Sequence, residues 1–156
     1  MNLTSGLTSS NTDQWATPIK LFEALDAEFN FEVDVCADES NHKCEVYFTK
    51  EVDGLSQDCG SRRCFMNPPY GREIGKWTKK AVETAEAGGL VVALLPNRTD
   101  TKWYGDVMKA SEIRIVKGRL KFNDSETSAP FPSVIVIWGG PRYPIIRYQE
   151  IKEVSE

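Results

Sequence analysis

The sequence predicts an α/β domain on a mainly parallel sheet with an antiparallel strand at one edge. Three observations carry that prediction. Strand-like and helix-like runs alternate along most of the chain. The run Leu90–Pro96 is apolar throughout, as a parallel strand covered on both faces is. The last two strand-like runs, Glu112–Lys117 and Ser133–Trp138, have no helical pattern between them and so should pair antiparallel at an edge.

The elements follow in order. Thr17-Pro18 reads as a helix N-cap followed by proline at the first helical position, and Leu21, Phe22, Leu25 and Phe29 form the apolar face behind it. Phe31–Ala37 alternates like a strand. Residues 38–60 are polar and irregular apart from a short apolar patch at Val46-Tyr47-Phe48. Arg63–Met66 is a short strand that runs straight into Asn67-Pro68-Pro69-Tyr70. From Arg72 to Glu86 the spacing is helical, with Ile74, Trp77, Ala81 and Ala85 as the buried stripe and Gly88-Gly89 as the stop. Arg72, Lys76, Lys79 and Lys80 fall on another side. After Leu90–Pro96 a short helix is predicted, capped by Asp100, with Trp103, Tyr104, Val107 and Met108 facing inward. Residues 1–13 read as a flexible leader, 14–140 as one domain, and 141–156 as a polar tail in which Ile145 and Ile146 add an edge. In a sheet of this kind the site lies at the carboxyl ends of the strands, which gathers Asp34–Ala37, Asn67–Tyr70 and Pro96–Asp100 around one crevice.

Composition narrows the class. The chain has 156 residues, 40% hydrophobic and 27% charged, enough to bury a core. No apolar run approaches the roughly 18–20 residues of a membrane span, and the N-terminus lacks the pattern of a signal peptide. A soluble, cytoplasmic protein is expected, with no membrane association and no obligate protein partner. Cys36, Cys44, Cys59 and Cys64 lack the tight Cys-x-x-Cys spacing of a zinc site. Free thiols are the simpler reading, and no metal is expected.

The net charge of −4 hides a segregation. Residues 1–59 carry −9, residues 60–122 carry +7 and residues 123–156 carry −2. A basic middle third suggests one positive surface suited to nucleic acid; a solvated helix face is the plainer alternative.

Asn67-Pro68-Pro69-Tyr70 is the most informative stretch. A string of this type arises by composition well under about one time in a hundred in a chain this long. A rigid turn accounts for the prolines but not for the amide before them or the aromatic after them. The chemistry of an exocyclic amino group accounts for all four. The N6 lone pair of adenine is delocalised into the ring. Acceptors from the Asn67 side chain and the Pro68 carbonyl can hold its two N–H bonds and aim the lone pair at an electrophilic methyl. Tyr70 can stack on the base once it has left the duplex, and the prolines keep the corner preorganised.

The whole set of strings resembles the phage-type, Dam-like DNA N6-adenine methyltransferases over roughly residues 13–138. It comprises DQWATP (13–18), FEVDVCA (31–37), YF with DGLSQD (47–58), FMNPPYG (65–71), LLPNRTDTKWY (95–104), GRLKF (118–122) and SAPFPS (128–133). The resemblance implies a Rossmann-like class I S-adenosylmethionine-dependent fold, abbreviated between the first strand and Asn67. It implies site-specific methyl transfer to N6 of a flipped-out adenine in double-stranded DNA, in a bacterial host and of phage or prophage origin. Methylation of protein glutamine or RNA, or a non-catalytic nucleic-acid-binding module, are the alternatives.

Carried onto this chain, the resemblance makes Asn67, Pro68, Pro69 and Tyr70 the catalytic motif. Trp15, Ala16, Thr17 and Pro18 correspond to an N-terminal cofactor-binding element, although a plain helix cap explains the last two equally well. Asp34, Cys36 and Ala37 occupy the loop that holds the methionine part of the cofactor, without the usual glycine-rich sequence; Asp34 capping its own turn is the alternative. Asp53 and Asp58 are the carboxylates for the cofactor's ribose and adenine, and Asn67 also borders the cofactor. Arg72, Lys76, Arg98, Thr99, Asp100, Arg119 and Lys121 are the expected DNA contacts, with ordinary surface charge as the alternative.

Overall fold

The computed structural model describes residues 15–38, 41–49, 53–123, 125–140 and 145–149. Within them, one sheet is built from β1 (Val33–Asp34), β2 (Val46–Tyr47), β3 (Arg63–Met66), β4 (Leu90–Pro96), β5 (Glu112–Val116), β6 (Ser133–Trp138) and β7 (Ile145–Gln149). The spatial order is β2-β1-β3-β4-β6-β5-β7. Helices α1 (Ile19–Phe29), α2 (Ile74–Glu86) and α3 (Tyr104–Val107) cover the sheet. None of the described helices is long and apolar enough to cross a membrane.

Strands β1 to β4 run parallel, β6 is antiparallel to both β4 and β5, and β7 is parallel to β5. The expected α/β class and the β5–β6 antiparallel pair are therefore present. The position of the antiparallel strand differs: β6 is inserted inside the sheet instead of ending it. All six β6 residues are buried, and so apolar a strand is most stable with a neighbour on each side. The edge falls to β7, which exposes Ile146 and Tyr148. Ile145 and Ile146 thus open a seventh strand within the stretch read as a tail. The stretch read as a leader lies outside the described residues.

Strands β3, β4 and β6 occupy the spans their patterns predict. β1 is shorter than Phe31–Ala37 because the chain bends after Asp34, whose carboxylate accepts from Cys36 N in the turn and from Lys43 N. Backbone pairing still continues on both sides, with Glu32 N donating to Arg63 O and Val35 N to Phe65 O. Between β1 and β3 the described residues hold β2 and a single 3₁₀ turn at Gly54–Ser56, an abbreviated arrangement.

The helices carry three corrections. The N-cap of α1 is Pro18, not Thr17, and α1 has no side-chain cap bond. Helix α2 starts at Ile74, after a turn closed by Ile74 N on Gly71 O, and buries Ile74, Trp77 and Ala81 together with Thr78 and Thr84. Helix α3 begins at Tyr104 with Trp103 as its N-cap, so Asp100 does not cap it. One turn can bury only the pair Tyr104 and Val107, and Met108 is left 65% exposed.

Period-two alternation along β3 decides which way the next residue faces. Phe65 packs edge-on against Phe22 of α1, whereas Cys64 and Met66 border Trp77 and Thr84 of α2. Asn67 follows in sequence and falls on the α1 side.

Candidate active site

The Asn67 side chain is anchored by a segment fifty residues earlier. Its Nδ2 donates to the backbone carbonyl of Trp15 and, at 2.8 Å, to the Thr17 hydroxyl. A carbonyl can only accept, so the amide nitrogen must face Trp15 and the amide oxygen must face away. That oxygen, Oδ1, is buried and has no hydrogen-bond partner among the described residues. An unmade bond of this kind costs about 1–3 kcal/mol in a folded interior and calls for a donor.

The Trp15–Pro18 segment is pinned in turn. Ala16 N donates to Asn123 Oδ1 at 2.7 Å, and Asn123 N donates back to Ala16 O at 3.2 Å. Trp15 packs edge-to-face against Phe122 and Phe131 at 5.4 and 5.0 Å between centroids. Tyr70 meets the same two rings at 6.2 and 5.6 Å. Its phenol donates to Leu94 O at 2.9 Å, and burial holds its pKa well above that of a free tyrosine, so it stays a neutral donor. Tyr70 is only 7% exposed and Pro68 is buried, whereas Pro69 is exposed. Among residues 118–133 the sequence marks out Arg119 and Lys121 by their charge. Phe122, Asn123 and Phe131, which close the corner, were hidden in plain hydrophobic and turn positions.

The loop after β1 lies against this corner. Asp34 is buried, and its two carboxylate oxygens accept from Cys36 N at 3.3 Å and Lys43 N at 2.9 Å. It therefore does cap its own turn. Burial raises its pKa, and those two N–H bonds oppose the rise. Burial and the Asp34 charge push the Cys36 thiol up, while the backbone N–H of Asn67 opposes them, so Cys36 stands between the two elements as an uncharged thiol. Val35 N, Ala37 N and Asp38 N bond to Phe65 O, Phe48 O and Asn41 O. With Cys36 N also spent on Asp34, what this loop can offer a ligand is acceptors.

The structure separates the two other carboxylates. Gly54 lies so close beneath Val35 that a Cβ would come within 2.3 Å of the Val35 carbonyl, which brings the exposed Asp53 to the carboxyl end of β1. Asp58 instead turns into the amino end of β3, accepting from Gly60 N at 2.8 Å, and is not brought to the corner. Next to it the free Cys59 thiol has its pKa drawn down to about 7, chiefly by a hydrogen bond with the free thiol of Cys64.

Cations arrive from three loops. Arg72 follows Tyr70, Arg98 follows β4, and Arg119 and Lys121 precede Phe122; all are exposed. Arg98 lies over the Phe131 ring at 5.7 Å, which attaches the β4 loop to the aromatic cluster. Thr99 and Asp100 are exposed beside it. Lys76 is paired to Glu73 at 3.1 Å on the exposed start of α2, and Lys80 is turned inward onto Gln57 O.

A mostly parallel sheet with a polar and aromatic corner at its carboxyl rim is the architecture of a Rossmann-like methyltransferase. Residues 4–153 match the family model described as DNA N-6-adenine-methyltransferase (Dam), and the chain belongs to that family, the adenine-N6 DNA methyltransferases. A DNA N-6-adenine-methyltransferase of Haemophilus phage HP1 is 35% identical over 130 residues, which are 78% of this chain and 75% of the relative. Another DNA N-6-adenine-methyltransferase, from Escherichia phage T1, is 31% identical over 104 residues, 65% of this chain. The match spans only 43% of that longer protein.

Proposed function

We propose that the chain transfers the methyl group of S-adenosylmethionine to N6 of an adenine flipped out of double-stranded DNA, at a specific site. The observation that carries this reading is the buried Oδ1 of Asn67, without a hydrogen-bond partner among the described residues, beside two prolines and an aromatic. It is an acceptor awaiting an N–H, and the adenine amino group brings two. The S-adenosylmethionine methyl supplies the electrophile when the cofactor is bound. Asn67 accepts one N6–H and the Pro68 carbonyl the other, which turns the nitrogen lone pair out of the ring plane. Methyl transfer would exchange the sulfonium C–S bond for the new N–C bond, and the acidic N6 cation so formed would release one proton to solvent. Pro68 and Pro69 remove the freedom of the turn, so little ordering remains for the reaction step.

Tyr70, Phe122 and Phe131 supply apolar walls for the base. A base reaching Asn67 has to part edge-to-face contacts worth about 0.5–1.5 kcal/mol each. Stacking of about 1–3 kcal/mol per base offsets that cost. For the cofactor, the acceptor-bearing loop Asp34–Ala37 fits a cationic ammonium and sulfonium, and Asp53 fits the ribose hydroxyls. Arg72, Arg98, Arg119 and Lys121 are assigned to DNA phosphates around the corner. Both phage relatives support a phage or prophage enzyme acting in the cytoplasm of a bacterial host.

The test is nucleoside mass spectrometry after incubation with labelled cofactor. N6-methyladenine should appear in duplex DNA with the wild type and fall by at least roughly 100-fold with Asn67→Ala, because a positioned acceptor is lost. Label found in protein or RNA but not in DNA would overturn the reading.

A further inference from the structure

We infer that Thr17 is a positioning residue that holds the Asn67 amide in the orientation set by the Trp15 carbonyl, with Oδ1 toward the substrate. This rests on the reading of Asn67 as the acceptor for the target amine. The two ends of an asparagine amide have nearly the same shape and opposite polarity, so a half-turn of the group would present a donor to the substrate and repel it. Trp15 O, which can only accept, sets the polarity, and Thr17 Oγ1 takes up the second Nδ2 hydrogen and so locks the group in place. Among the described residues Oδ1 is then the end left unpaired.

Local structure leaves the Thr17 hydroxyl available for this duty. A threonine before a helix ordinarily caps it, but the N-cap of α1 is Pro18, and α1 has no side-chain cap bond. Thr17 is buried, 6% exposed, with its hydroxyl directed at Asn67. The segment cannot drift either, because Ala16 is clasped by the reciprocal pair with Asn123. Removing the hydroxyl leaves one Nδ2 hydrogen without an acceptor and only Trp15 O to hold the amide. The group then wanders from the attack geometry while the binding surfaces stay in place.

Thr17→Val and Thr17→Ser decide the matter, measured by kcat at saturating DNA and by separate titrations of S-adenosylmethionine and duplex DNA. Thr17→Val should lower kcat by roughly 10–100-fold, the penalty of a displaced reacting group, with the cofactor Kd within about twofold of wild type. Thr17→Ser, which keeps the oxygen, should recover the rate to within about threefold of wild type, since the hydrogen bond is restored. Thr17→Ala replaces the valine variant should the latter fail to pack. An unchanged kcat, or a cofactor Kd raised more than about tenfold with the saturated rate intact, would overturn the inference and leave Thr17 with the cofactor. An active Asn67→Ala enzyme, by contrast, sinks the reading of Asn67 itself. An inactive Asn67→Ala beside a fully active Thr17→Val sinks only the positioning role.

Discussion

The phenol of Tyr70 donates to the backbone carbonyl of Leu94 at 2.9 Å and ties the turn after β3 to the neighbouring strand β4. The hydroxyl thus serves the frame, and under the proposed function the ring serves the base. Tyr70→Phe should cost about 1 kcal/mol, the worth of one hydrogen bond, and lower the melting midpoint by about 2–4 °C. Methylation should persist within about fivefold, because the stacking face is kept. Thermal melting and a methylation assay on the same preparation check both halves; a loss near that of Asn67→Ala would place the hydroxyl in the chemistry instead.

The legible parts of this fold are those written in local pattern. Leu90–Pro96 could be read as a buried strand because every residue is apolar, and Asn67–Tyr70 as a rigid turn at the end of β3 because two prolines fix the backbone there. Thr17 misleads for the opposite reason. Thr-Pro before an apolar helix face satisfies the local rule for a cap, yet its hydroxyl is claimed by Asn67, fifty residues away. Sequence spacing holds no trace of that competition. The placing of β6 between β4 and β5 is likewise a tertiary choice between registers that satisfy the same alternation. Met108 fits the helical stripe and fails only because α3 ends after one turn.

Arg114 is the buried cation of the sheet and should matter for stability alone. Its guanidinium forms a two-pronged pair with Glu28 of α1 at 2.7 and 2.6 Å, bonds Glu112, and faces the Phe29 ring at 5.3 Å. Removing one partner of a buried pair costs about 3–5 kcal/mol when the other is stranded. Glu28 stays half exposed and Glu112 keeps Arg147 at 2.6 Å, so neither carboxylate is stranded. Arg114→Leu should therefore cost less, about 2–3 kcal/mol, read as a lower urea midpoint. Methylation at 20 °C, or any temperature where the variant is folded, should be unchanged.

Asp34 and Glu112 titrate with opposite sign. Burial raises Asp34 despite the N–H groups of Lys43 and Cys36, so its favourable share of stability is complete below its ordinary pKa of 3.8 and is lost as pH rises through the folded value. For Glu112, burial acts upward, but the guanidiniums of Arg114 and Arg147 win and lower it. Its share is present above the ordinary 4.5 and disappears as pH falls through the folded value. Urea unfolding across the acid range should show the wild type losing ground to Asp34→Asn as pH rises. Against Glu112→Gln the wild type should lose its advantage as pH falls. Parallel curves for either pair would contradict the assignment.

Arg98 is exposed at the end of β4 and lies over the Phe131 ring, a contact that separates it from an ordinary surface charge. An exposed guanidinium over a ring is worth about 0.5–1 kcal/mol, so Arg98→Ala should barely change the melting midpoint. Its effect should fall on DNA. A phosphate contact releases one counterion's worth of binding, which makes the logarithm of affinity fall with the logarithm of salt by about 0.9 per contact. If Arg72, Arg98, Arg119 and Lys121 all reach phosphates, the slope should be about −3 to −4, despite the net charge of −4 on the whole chain. Arg98→Ala should make that slope shallower by about 1 and weaken binding evenly across DNA sequences. Duplex titrations at several salt concentrations read all three quantities. A flat salt response in the wild type would remove the rim from the DNA interface, and an unchanged slope in Arg98→Ala would leave its guanidinium with the Phe131 ring alone.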